Sequence, residues 1–318
     1  MESKNNWKAW LYLAPVLILM AVFTFYPIFN TFMLSFMKDW DYTLGSANKI
    51  VFTFDNYLEI LTIRSADGSV TGSFFEQVVL TALPNTLLLT VITVPLSVII
   101  SLLIAIGLNS IPALKKLFQT IFFMPYVTNA IAIGMVFAIV FDTRYGVWNA
   151  LFGTTGHPWI TYNTATGEQV NYWSALFAIS FYIIWHSLPY KILIFLSGLQ
   201  NIDQQYYEAA KIDGAGRVKT AWKVTVPLLS PQIFYILITS FIGAFKEYSS
   251  VIGLFGPDAG SFDKNTGPSS MKTMVYFVYE QIHGNYVQYA SAAAVLLFFI
   301  ILLFTIVQRK VGAKRVHY

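Results

Sequence analysis

Long apolar runs separated by polar links dominate this chain. A helix needs about 20 predominantly apolar residues to cross a bilayer. Four of the runs reach that length, and two more do so when isolated polar residues are tolerated. They predict six helices, over 10–37, 78–107, 117–141, 173–200, 227–256 and 286–308. The links then fall at 38–77, 108–116, 142–172, 201–226 and 257–285, with a tail at 309–318. Pro84 and Pro95 predict bends in the second helix. Pro227 and Pro231 sit where the fifth begins, in a first turn that tolerates proline. The expected fold class is an all-α polytopic membrane protein, with residues 1–318 as a single transmembrane domain. No internal repeat of the inverted-repeat transporter kind is visible.

Composition sharpens this picture. The chain is 56% apolar and 11% charged, against about 25% charged for a soluble domain. The first run follows Lys4 and Lys8 and has no small-residue cleavage site. It is too long for the apolar part of a signal peptide, about 7–15 residues, so a retained first span is expected. The absence of cysteine excludes a thiol nucleophile, a thiolate metal site and a disulfide. Four scattered histidines without HExxH spacing argue against zinc, and no cofactor or metal is expected. The aromatic residues lie mostly in or beside the apolar runs, which offers nucleic acid no basic stacking face. Ser35 and Lys38 have SxxK spacing without a companion motif, so a serine-acylating enzyme is not expected.

Lys and Arg set orientation. Lys4, Lys8, Lys115, Lys116, Lys211, Arg217, Lys219, Lys223, Arg309, Lys310, Lys314 and Arg315 fall on one face, 12 in all. Lys38, Lys49, Arg64, Arg144, Lys264 and Lys272 make six on the other. Both termini and the 201–226 link are therefore expected in the cytoplasm. The opposite links read as turns, with Asp67-Gly68, Thr154-Thr155-Gly156 and Thr164-Ala165-Thr166-Gly167 as their signals.

The 201–226 link is a polar island between two apolar runs. Asp203 is placed to cap a helix through Glu208-Ala209-Ala210, and Gly214 and Gly216 break it. A second short helix is expected from about Arg217, giving an elbow on the cytoplasmic surface. Glu208-Ala209-Ala210, three residues, Gly214, nine residues, Val224, one residue, Val226-Pro227 resembles the EAA signature of permease subunits in ATP-binding-cassette importers. That signature has Ile and Leu where Val224 and Val226 stand here. Across nearly the whole chain, Tyr26-Pro27, Ser35-Phe36, Phe54-Asp55-Asn56-Tyr57, Pro84-Asn85-Thr86, Met124-Pro125, Leu188-Pro189-Tyr190, Gly198-Leu199-Gln200 and Tyr289-Ala290-Ser291-Ala292 resemble the maltose-permease-like, carbohydrate-uptake branch. Phe255-Gly256-Pro257 stands where that branch has Gly-Gly-Pro, and an extra polar stretch, 258–270, follows.

The resemblance implies a type I importer permease in the bacterial cytoplasmic membrane. It implies a cytoplasmic ATP-binding subunit in two copies, into which the elbow docks through Glu208, Ala209, Ala210, Asp213, Gly214 and Ala215. No GxxxxGK[ST] loop exists in this chain, so hydrolysis falls to that subunit and no catalysis is expected here. A second homologous permease forming a heterodimer, an extracellular binding protein, an oligosaccharide substrate and membrane lipid complete the implied partners; nucleic acid is not among them.

Polar groups at membrane depth are candidates for the substrate path. His186 lies mid-span in the fourth run, Ser187 follows, and Tyr190 shares the face of His186 four residues on. Ser240, Gly243, Ala244 and Glu247 fall at i, i+3, i+4 and i+7 in the fifth run, a stripe suited to a polyol. The resemblance implies the same two stretches. Other readings are a backbone-bonded His186, small residues serving helix packing, a Lys246–Glu247 ion pair, and a snorkelling or paired Lys191. An ion-coupled sugar carrier is the alternative from another class, resting on Glu247 as coupling carboxylate.

Overall fold

The computed structural model describes residues 6–38, 40, 51–62, 73–111, 120–121, 124, 126–154 and 156–312. Lys4, Lys49, Arg64, Asp67, Gly68, Lys115, Lys116, Pro125, Thr155, Lys314 and Arg315 lie outside the described residues, as does 117–119, where the predicted third helix begins. The described structure is mostly helical, and its extended residues meet only in isolated bridges such as Val170 with Phe262.

In chain order the helices are α1 (Asn6–Met20), α2 (Tyr26–Ser35), α3 (Asp55–Leu61), α4 (Leu83–Asn109), α5 (Ala130–Val140), α6 (Val147–Phe152) and α7 (Tyr172–Gln200). They continue as α8 (Gln204–Ile212), α9 (Arg217–Thr220), α10 (Val226–Leu228), α11 (Ser230–Phe245), α12 (Ser249–Phe255), α13 (Met274–His283) and α14 (Val287–Gly312). Widened π-type segments join α1 to α2 (Ala21–Phe25), precede α4 (Glu76–Ala82) and join α9 to α10 (Ala221–Thr225). Each ends two residues before a proline: Pro27, Pro84 and Pro227. Proline has no N–H and its ring crowds the carbonyl four residues back. The residue before it bonds one step further: Tyr26 and Val226 donate to the carbonyls of Ala21 and Ala221. Three sequence positions thus write three local departures from the α-ladder.

Among the described residues, four helical stretches are long and apolar enough to cross a membrane: Trp10–Ser35, Glu76–Asn109, Tyr172–Gln200 and Val287–Gly312. These match the predicted first, second, fourth and sixth runs. The second runs without interruption through Pro95. In the third run the described helix is the shorter Ala130–Val140. The predicted continuous fifth helix is broken instead. Arg217–Leu228 and Ser230–Phe245 bend by 68° about Leu229, whose carbonyl side lies just ahead of Ser230-Pro231, where the missing N–H cannot continue the ladder. The helix stops again at Phe245. Lys246 and Glu247 turn back onto the carbonyls of Gly243 and Ala244, and the chain restarts as α12.

The residues form two compact units: Met1–Val78 with Phe277–Phe299, and Val79–Tyr276 with Ile300–Tyr318. In the first, Asn56 Nδ2 donates to the carbonyls of Ser35 and Met37, both at 2.9 Å, and Tyr57 Oη donates to Ser35 Oγ at 2.7 Å. The two motifs Ser35-Phe36 and Phe54-Asp55-Asn56-Tyr57 are therefore each other's partners. Lys38 pairs with Asp55 at 3.7 Å. No residue of the first span's apolar window is buried.

The second unit is built on α4 packed along α7, with α11 against both. One cluster centres on Phe141, Tyr172, Ile179, Tyr182, Leu254 and Tyr276, and another on Val98, Leu102, Phe195, Leu196, Leu229 and Ile236. Buried Thr86, Thr90, Thr93, Ser97 and Ser101 recur at three- and four-residue spacing on α4. Each hydroxyl donates to a carbonyl three or four residues back, at 2.7–3.0 Å. That back-bonding satisfies a donor which the apolar surroundings would otherwise leave bare.

Asn85 fastens the extra 258–270 stretch. Its Nδ2 donates to the carbonyls of Ser270 at 2.9 Å and Lys272 at 2.8 Å, and its Oδ1 accepts from Tyr172 Oη at 2.8 Å. The expected turn at 164–167 forms: Gly167 has φ +76°, and Asn163 and Glu168 pair across it.

Candidate functional site

Two features are candidates: the elbow over 203–228 and a cavity between α4, α7 and α11. In the elbow, Asp203 caps α8 as expected, accepting the Gln205 amide at 3.0 Å. The end of α8 explains the spacing of the motif. Gly214, at φ +71°, donates to the Lys211 carbonyl at 3.1 Å, and Ala215 donates to the Ala210 carbonyl at 2.9 Å. This paired closure requires a left-handed residue four after the third member of Glu-Ala-Ala, and glycine adopts it without steric cost. Thr225 and Tyr207 hydroxyls meet at 3.4 Å and tie the second arm to the first. Ala210 is buried against the elbow itself, Ala215 is half-buried, and Glu208, Ala209, Asp213 and Gly214 are exposed. Large apolar side chains stand out around them, led by Ile212 at 86% exposure with Val218 and Trp222. The elbow offers a partner exposed carboxylates, Glu208 and Asp213, together with exposed apolar side chains.

The cavity has a volume of about 270 Å³. Its wall contains every proposed path residue: His186, Ser187 and Tyr190 from α7, Ser240, Gly243 and Ala244 from α11, and Glu247 beyond it. His186 Nε2 is buried and has no hydrogen-bond partner among the described residues. Ser187 Oγ donates to the Ile184 carbonyl at 3.0 Å. Tyr190 stacks on Tyr126, centroids 5.6 Å apart at 17°, and its hydroxyl lies 3.4 Å from that of Tyr235. Glu247 leaves the helical stripe that the sequence implies, because α11 ends at Phe245. It reaches the cavity from a turn, where its Oε1 accepts the Ser250 amide at 3.0 Å and its carbonyl accepts from Thr273 Oγ1 at 2.6 Å.

Sequence reasoning missed Thr93, Ser97, Tyr126 and Thr239 on the same wall, and left Lys191 open. The hydroxyl row of α4 was the available signal. Lys191 is 5% exposed, and its Nζ donates to Ser97 Oγ and, at 3.2 Å, to Ser187 Oγ. Hydroxyls, an imidazole, a carboxylate and an ammonium give the wall the means to hold a polyol. Among the described residues no three His, Asp or Glu side chains gather as a metal site.

Four helices of membrane-spanning length among the described residues and a cavity that gathers these polar groups define the class as a helical membrane protein. Residues 97–316, more than half of the chain, match the family described as "binding-protein-dependent transport system inner membrane component", and the chain belongs to that family. It is 30% identical over 298 residues to the arabinooligosaccharides transport system permease protein AraP of Halalkalibacterium halodurans, covering 93% of this chain and 84% of the relative. It is 28% identical over 315 residues to the multiple sugar-binding transport system permease protein MsmF of Streptococcus mutans, covering 98% and 97%. A solved bacterial ABC transporter involved in the import of the acidic polysaccharide alginate shares the fold, with a TM-score of 0.73 at 17% identity over 98% of this chain and 96% of that one. Membership makes the chain a multi-pass inner-membrane component of a transport system rather than a catalyst. It favours the ATP-driven reading over the ion-coupled carrier.

Proposed function

We propose that this chain is one permease of an ATP-driven importer that passes an oligosaccharide from an extracellular binding protein to the cytoplasm. The observation that carries the reading is the family match over 97–316, which spans the elbow and most of the cavity wall. The permease names of its relatives support a carbohydrate as substrate. The chain forms one transmembrane domain of six spans, with both termini and the elbow in the cytoplasm. A homologous permease completes the channel as a heterodimer, and two ATP-binding subunits drive it. The elbow is the EAA coupling element. Glu208 is its charged contact, Ala209 and Asp213 flank that contact, and Ala210, Gly214 and Ala215 set its shape. The exposure of Glu208, on an elbow that also exposes Ile212, Val218 and Trp222, supports this assignment. His186, Ser187, Tyr190, Ser240, Gly243, Ala244 and Glu247 line the sugar's path, supported by their common cavity.

Reconstituted uptake tests the reading. Glu208→Ala is expected to abolish ATP-driven uptake while the protein remains inserted, and His186→Ala to alter the range of sugars carried. Uptake that survives ATP depletion and follows a proton or sodium gradient would overturn the ATP-driven mechanism. Normal ATPase association and uptake in Glu208→Ala would remove the docking role.

A further inference from the structure

We propose that Lys191 makes the central cavity selective for a carbohydrate that carries a carboxylate, as in a uronic acid unit. This rests on the reading that the cavity is the sugar's path. Lys191 lies on α7 one turn beyond Ser187, in the cavity wall and 5% exposed. Its ammonium is held by two hydroxyls, Ser97 Oγ from α4 and Ser187 Oγ from α7. Both serines have already committed their own protons: Ser97 donates to the Val94 carbonyl and Ser187 to the Ile184 carbonyl, each at 3.0 Å. They therefore serve the lysine purely as acceptors and fix the direction of its head group.

An ammonium has three N–H donors, and these two serines engage two of them. Neutral hydroxyls orient the charge without compensating it. Among the described residues no carboxylate pairs with Lys191. Glu247, the acid on the same wall, directs Oε1 to the Ser250 amide instead. A buried cation without a counter-ion is a costly arrangement that a protein keeps where a ligand completes it. A sugar hydroxyl can accept from such a group, but only a carboxylate also brings the counter-charge that the site lacks. His186 Nε2, also on this wall and without a partner among the described residues, supplies a second polar atom for the same ligand.

The test compares α-1,4-linked digalacturonate with neutral galactobiose of the same linkage. Binding of each is measured by calorimetry on the full transporter assembly in nanodiscs, for wild type, Lys191→Met and Lys191→Arg. The wild type is expected to bind the acidic disaccharide at least about tenfold more tightly, because only the acid supplies an opposite charge to the ammonium. Lys191→Met is expected to weaken the acid far more than the neutral sugar and so to bring the two affinities together, while Lys191→Arg keeps the preference. Equal affinity of the wild type for both sugars overturns the proposal alone. So does an equal loss of both in Lys191→Met, the result expected if Lys191 only packs α7 on α4 or meets a carboxylate of a partner subunit. Binding of neither sugar to the wild type overturns the cavity reading and the proposal with it.

Discussion

Glu247 Oε1 accepts the backbone N–H of Ser250 at 3.0 Å, so the acid on the cavity wall also caps the helix that follows. Glu247→Ala should therefore destabilise the protein by about 1 kcal/mol, the usual net contribution of one such hydrogen bond. Glu247→Gln keeps an accepting oxygen and should retain most of that stability. Thermal unfolding of the two variants in detergent checks this; equal midpoints for wild type and Glu247→Ala would refute the capping role.

At the elbow, stability and coupling should separate. Glu208 is exposed, so Glu208→Ala should unfold at the wild-type temperature even where uptake is lost. Gly214 has φ +71° with open space where a Cβ would stand, so Gly214→Ala meets backbone strain and no clash. A left-handed alanine costs roughly 1–2 kcal/mol. Gly214→Asn should cost less than Gly214→Val, since asparagine visits that region more readily. Ranking the three by unfolding temperature decides it.

Asn85 should be the most sensitive polar residue of α4. Asn85→Ala orphans the Ser270 and Lys272 carbonyls and the Tyr172 hydroxyl, and each orphaned buried group costs about 1–3 kcal/mol. Tyr172→Phe removes a single bond and should cost about 1 kcal/mol. Limited proteolysis within 258–270 should accelerate strongly in Asn85→Ala and weakly in Tyr172→Phe.

Gly134 and Gly253 mark the crossing of α5 and α12. A Cβ on Gly134 would lie 2.7 Å from the Gly253 Cα, and one on Gly253 would lie 2.8 Å from the Ile131 carbonyl oxygen. Backbone cannot yield as a flexible side chain can, so Gly134→Val should cost at least the 1–3 kcal/mol, roughly, of overpacking. Gly107→Ala, with nothing within 4 Å, should be neutral to mildly stabilising. Yields of folded protein on size exclusion separate the two.

Four of the apolar runs and the glycine of the elbow were legible in the chain because each acts within a few residues of itself. Run length dictates a span when the solvent is lipid. A left-handed residue dictates where α8 ends, whereas proline does not by itself dictate where the ladder widens: Pro27, Pro84 and Pro227 follow widened turns, but Pro15, Pro95 and Pro189 lie within regular helix. Tertiary structure decided what depends on contacts remote in sequence. It ended α11 at Phe245, and so brought Glu247 to the cavity from a turn. It joined Asn85 to Ser270, 185 residues away, and gave Lys191 the acceptor Ser97, 94 residues away. A polar side chain at membrane depth announces that it needs a partner, because burial without one is costly; which partner it finds is set by the packing of helices against one another.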